Sequence, residues 1–200
     1  AQQLRQVPAE TVAGMKPDQV AALSREVLGA MKPSQAAELT QRAVGALQRG
    51  QVGALKPAAV GDLSARQLGA IDPAVMKGVT GAQFRQIAPA DIDALSVAQV
   101  SAMQTSVFEA MRPSQAAELS QRAVGALEKA QIAALAPAAV GELSAGQISA
   151  IDPAAVAGID AEQIEEIPTE LIEAITPEQV AELQPDTLAG LTDEQLGELS

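Results

Sequence analysis

The sequence predicts an all-α fold, a solenoid of short helices, and three observations carry that prediction. A large aliphatic residue recurs every eight positions from Val7 to Leu199 without one insertion or deletion. Ten of the twelve prolines fall at the same place in that octad, the place where a helix begins. Glutamine stands fourth in every second octad, so the octads pair into sixteen-residue units.

Thr176-Pro-Glu-Gln-Val-Ala-Glu-Leu183 shows the octad in its plainest form. Position 1 is Thr, whose oxygen can accept from an amide that lacks a partner inside the helix. Position 2 is Pro, which needs no amide partner at the first helical residue and has a suitable φ already. Position 3 is an acid at the positive end of the helix dipole. Gln179 at position 4 completes a capping box, and Val180 at position 5 can staple against Ile175 just before the cap. Three residues later another cap begins. One octad is thus a short helix of about two turns, roughly 10 Å at 1.5 Å per residue, far too short to be stable alone.

A single long helix is excluded. Eight residues overshoot two turns by about 80°, so the apolar positions would spiral round the rod and form no coiled-coil seam. Proline inside such a helix would cost about 3 kcal/mol at each site.

Positions 5 and 8 are i and i+3 of one helix and share a face, which is the predicted core. Only Ala36 and Ala116 are small at position 5. Positions 6 and 7 are mostly Ala or Gly, as in Gly53-Ala54 and Ala133-Ala134, and imply a close approach of neighbouring helices. The position-4 row comprises Gln3, Gln19, Gln35, Gln51, Gln67, Gln83, Gln99, Gln115, Gln131, Gln147, Gln163, Gln179 and Gln195. Capping alone does not distinguish alternate octads. A structural role is therefore expected for this row, either a stacked amide ladder or amides bonded to inter-helix backbone.

Residues 33–72 and 113–152 match at 29 of 40 positions, which marks a duplicated block without any slip of phase. The expected organisation is a single uninterrupted repeat solenoid over 1–200. Neither end carries the polar, atypical repeat that closes such an array. Both ends are expected to be uncapped, open to a longer chain or to end-to-end stacking.

Composition excludes several functions. Hydrophobic residues make up 48% of the chain, but Phe84 and Phe108 are its only aromatics, so the core is thin and aliphatic. With no Cys there is no disulfide or thiolate site, and with no His the commonest general base and metal ligand is missing. Net charge is −12, and beyond Lys129 there are fourteen acids and no base. Phosphate binding needs basic surface, so nucleic acid is not expected as a partner. No apolar run approaches the roughly 20 residues of a membrane span.

Asp160, Glu162, Glu165 and Glu166 could be drawn as a calcium site, but no EF-hand spacing supports one. They read as helix-start acids and solvated surface. No pair of carboxylates is singled out for acid–base work, and neither catalytic residue, cofactor nor metal is expected. The one stretch with irregular side chains, 77–93, offers a possible partner surface from Lys77, Phe84, Arg85, Asp91 and Asp93.

Ile175-Thr-Pro-Glu-Gln-Val180 resembles the opening of a transcription-activator-like effector repeat over six residues, but the period and charge exclude a DNA reader. The octapeptide tracts of very large bacterial surface and secreted proteins, Leu-Thr-x-x-Gln-Ile/Val-x-x, resemble this chain throughout. Leu63-Ser-Ala-Arg-Gln-Leu, Leu95-Ser-Val-Ala-Gln-Val and Leu143-Ser-Ala-Gly-Gln-Ile carry the likeness. That resemblance implies an extracellular, bacterial stalk or spacer. The function expected is structural, a rod or a self-assembling filament subunit partnered by itself or by flanking domains. The alternative is a protein- or peptide-binding solenoid scaffold.

Overall fold

A computed structural model describes residues 7–199. All regular secondary structure among them is helical, in 24 short segments of four to six residues. Among the described residues no helix is long and apolar enough to cross a membrane.

The helical part of each octad is shorter than the octad itself, and the hydrogen bonds say why. Residues 2 to 6 wind into little more than one turn, as in Pro33–Ala37 and Pro57–Gly61. The turn is then closed by an i→i−3 bond from the position-8 amide to the position-5 carbonyl. Leu63 N–H reaches Val60 at 3.1 Å, and Leu183 N–H reaches Val180 at 3.2 Å. Positions 8 and 1 are extended, with φ −62° and ψ 138° at Leu183 and φ −74° and ψ 156° at Thr176. Two extended residues turn the chain into the next helix. No described residue has positive φ, so the path needs no left-handed glycine.

Three segments, Pro73–Gly78, Pro89–Ala94 and Thr169–Ala174, are 3-10 helices. All three lie in octads whose fourth residue is not Gln, where no amide closes a capping box.

The core matches the octad register. From Leu28 through Ile175 every position-5 and position-8 residue is buried. Each fully buried Leu or Ile side chain contributes about 2 kcal/mol of transfer free energy, which is how helices of one turn survive. The stabilisation lies between octads rather than within them.

The described chain falls into two compact units, one ending at Val107 and the next beginning at Phe108. Within each unit, helices pack on those three octads further along. In the first unit Pro33–Ala37 packs on Pro57–Gly61, and Arg49–Val52 packs on Pro73–Gly78. In the second, Pro113–Ala116 packs on Pro137–Gly141, and Gln121–Val124 packs on Ala145–Ala150. Each unit is thus a solenoid of short helices. Three octads is an odd number, so a Gln-bearing helix always stacks on one without Gln.

The close approach expected at positions 6 and 7 is present. Seven position-6 glycines (29, 45, 53, 61, 69, 125 and 141) each face the position-7 carbonyl three octads later. A Cβ placed on them would stand 2.5–3.1 Å from that oxygen. Alanine in place of glycine there requires the stack to open.

Candidate functional site: the glutamine row

The most specialised polar feature of each unit is the row of position-4 glutamines, and its geometry has two halves. The side-chain oxygen caps its own helix. Oε1 of Gln83 accepts the Thr80 backbone N–H at 2.9 Å, and Oε1 of Gln179 accepts that of Thr176 at 2.9 Å. This half of the box persists where position 1 is Lys32, Gln48 or Glu128, at 2.9, 2.7 and 3.0 Å. Where position 1 is Ser, its hydroxyl adds a second bond, as from Ser64 to Gln67 at 2.8 Å and from Ser144 to Gln147 at 2.9 Å.

The side-chain nitrogen reaches back across the stack. Nε2 of Gln67 donates to the carbonyls of Ala36, Ala37 and Leu39 at 3.2, 3.0 and 2.7 Å. Gln51 serves Val20, Ala21 and Leu23 in the same way. Gln83 serves Val52 and Leu55 at 2.8 and 2.7 Å, and Gln99 serves Leu68 and Ile71 at 2.9 and 2.8 Å. Gln35 donates to the Val7 carbonyl at 2.8 Å.

In the second unit Gln147, Gln163, Gln179 and Gln195 repeat the pattern onto residues 28 to 31 positions earlier. Those carbonyls belong to the end of the helix four octads back, where the intrahelical ladder leaves acceptors open. Helices stack on the third octad, and the amides tie them to the fourth. Stacking joins unlike octads; the tie joins like to like.

Gln35 and every later member of the row are buried, at 5% exposure or less. A buried amide without partners would cost roughly 1–3 kcal/mol per unsatisfied group, so the ties are what make glutamine tolerable there. Gln19 is the exception in the described row. It is exposed, and the bond of its Oε1 to the Lys16 N–H at 2.8 Å is the one described for it. Gln3 lies outside the described residues. In the alternate octads position 4 is mostly small and apolar, as at Ala43, Ala59, Ala123 and Ala139, all buried. Thr187 is the octad without glutamine that still makes a tie, its hydroxyl donating to the Ile159 carbonyl at 2.7 Å.

Of the two roles the sequence left open for this row, a ladder of amides or amides on inter-helix backbone, the second describes the bonds found. The reach of 28 to 31 residues had no sequence signal, because its acceptors are backbone carbonyls that every residue carries.

One member of the candidate surface in 77–93 does not lie on the surface. Phe84 is 0% exposed, at position 5 of its octad, so it belongs to the core and cannot touch a partner. Lys77, Arg85 and Asp93 are exposed, and Asp91 is half-buried. Asp160 accepts the Gln163 backbone N–H through Oδ1 at 2.8 Å, a helix cap. No cluster of three or more potential metal-ligating side chains occurs among the described residues.

No protein-family model matches this chain, and no curated protein does either.

Proposed function

We propose that the chain is a structural repeat protein, without enzymatic activity, that serves as a spacer in an extracellular stalk or filament. The observation that carries this reading is the glutamine row. The most regular polar groups in the sequence are spent on holding the chain to itself, one turn to the next. A nearest-neighbour array of this kind can be lengthened unit by unit, which is what a spacer requires. The likeness to octapeptide tracts of bacterial surface and secreted proteins supports the location.

The test is to lengthen the chain. Residues 128–143, one sixteen-residue unit, would be inserted again after Leu143 once, twice and three times, and the maximum dimension measured by small-angle X-ray scattering. A constant increment per unit, with stability rising in graded steps, is the expected result. Loss of folding on insertion would count against the spacer. So would capture of a specific peptide or protein by the unmodified chain, lost on replacing Lys77 and Arg85, which would favour the binding-scaffold alternative.

A further inference from the structure

We propose that each unit is an extensible spacer, which lengthens under tension by one octad pair at a time and closes again when the tension falls. The inference rests on the spacer reading above and adds a mechanical property to it.

What joins one coil of the solenoid to the next decides how the stack yields. Helices stack on the third octad and are tied to the fourth, so a coil takes between three and four octads. No strand occurs among the described residues, so no backbone ladder runs from coil to coil there. Every backbone–backbone hydrogen bond described in the turns and at the helix ends is local, spanning three or four residues. The hydrogen bonds described between coils are side-chain ties, those of the glutamine row and that of Thr187. Beside them stands the apolar burial of positions 5 and 8.

Both kinds of contact are short in range. A hydrogen bond is lost once donor and acceptor part beyond about 3.5 Å, and apolar burial ends when water enters the gap. Each tie runs from the start of one helix to the end of a helix one coil back, so a pull along the stack draws it out lengthwise. Bonds in a ladder pulled along its strands share the load, whereas these ties meet it one after another. In a nearest-neighbour array the coils beyond a break keep their contacts, so the break does not spread by itself.

The spacing of the ties sets the step. From Gln35 to Gln99 in the first unit, and from Gln147 to Gln179 in the second, they recur every sixteen residues. One tie lost therefore frees the octad that bears it together with a neighbour that has none. Sixteen freed residues extend to roughly 53–58 Å at about 3.3–3.6 Å each. Thr187 adds a tie between those of Gln179 and Gln195, so the step there shortens to a single octad.

Closing is favoured by the same short reach. Each helix packs on a partner three octads away, and each tie spans 28 to 31 residues. Loops of that size close at modest entropic cost, and folds held by near contacts re-form fast. A helix freed from its neighbours is too short to persist, so each octad pair is either stacked or unfolded.

The absence of native cysteine lets one cysteine be added beyond each end of the full chain as a handle for optical tweezers. Stretching the unmodified chain is expected to give a train of steps, most with the contour gain of sixteen residues, and refolding on relaxation within the same cycle. Gln67→Leu removes a tie and should fuse two steps into one of double length. Ser64→Ala removes the hydroxyl bond to Gln67 Oε1 but keeps the tie, and should leave the step lengths unchanged. Rupture of a whole unit in a single event overturns the proposal, as do unchanged step lengths in Gln67→Leu. Neither result touches the spacer reading, because a stack that ruptures whole would still gain the same length with each inserted unit.

Discussion

Residues 33–72 in the first unit and 113–152 in the second are two copies of one block that have drifted apart mainly outside the core, where only Val52 and Leu68 have changed, to Ile132 and Ile148. The tie that each block closes within itself is the same bond for bond. Gln67 reaches Ala36, Ala37 and Leu39, and Gln147 reaches Ala116, Ala117 and Leu119 at 3.1, 3.2 and 2.7 Å. Their close approaches also correspond, Gly45 to the Ala70 carbonyl and Gly125 to that of Ala150. Both use a small Ala at position 5, Ala36 and Ala116, fully buried.

The changes of charge lie outside the core. Gln48, Lys56 and Arg66 of the first block are Glu128, Ala136 and Gly146 in the second. Net charge moves from +1 to −2, since the first block holds four bases and three acids and the second two bases and four acids. The buried register is held by contacts that admit few alternatives, whereas the outward positions answer only to solvent. That freedom let the chain accumulate its negative charge beyond Lys129 without disturbing the stack.

The comparison can be broken most forcefully at the ties. Gln67→Leu and Gln147→Leu each strand carbonyls at a helix end, and each should cost about 3 kcal/mol in urea unfolding. The two costs should agree within about 0.5 kcal/mol, the usual scatter for independent sites. A clear inequality would mean the blocks are alike in geometry but not in energetics. Gly45→Ala and Gly125→Ala come next. Helix propensity alone predicts a gain of about 1 kcal/mol, but the new methyl meets a carbonyl, so a loss of about 1–2 kcal/mol is expected. A gain at either site would show that the stack opens freely there.

Gln19→Leu sharpens the contrast from outside the blocks. It removes a cap and no described tie, so it should cost no more than about 1 kcal/mol. Gly53→Ala should cost less than Gly45→Ala. The second block already carries Ala133 at the corresponding place, so the small opening that a methyl requires is one this repeat has already made. The smallest effect, with the opposite sign, belongs to Gly197→Ala. Nothing stands within 4 Å of the added methyl in the isolated chain, and melting should rise by the equivalent of about 0.5–1 kcal/mol.

Much of this is legible in the sequence. The octad gave the helix starts, the capping boxes and the buried positions because each depends on neighbours within eight residues. The register also placed Phe84 at position 5, and its burial could have been read there. Grouping it with Lys77 and Arg85 gave the variety of a stretch more weight than its phase. The spacing of the stack was not legible, since the position-6 glycines and position-4 glutamines meet backbone carbonyls on the third and fourth octads, and a carbonyl leaves no mark on residue choice. The sixteen-residue glutamine period showed that octads differ in kind. It could not show which octad each amide would reach.

One consequence of stacking on the third octad concerns insertion and deletion. Loss of a single octad would keep every helix in phase, yet across the seam it would set glutamine-bearing helices on one another. Loss or gain of two octads restores the alternation. Heritable changes of length in this protein are therefore quantised, with the octad as the step that sterics allow and the pair of octads as the step that leaves no scar. The offset of 80 residues between the two duplicated blocks is five such pairs.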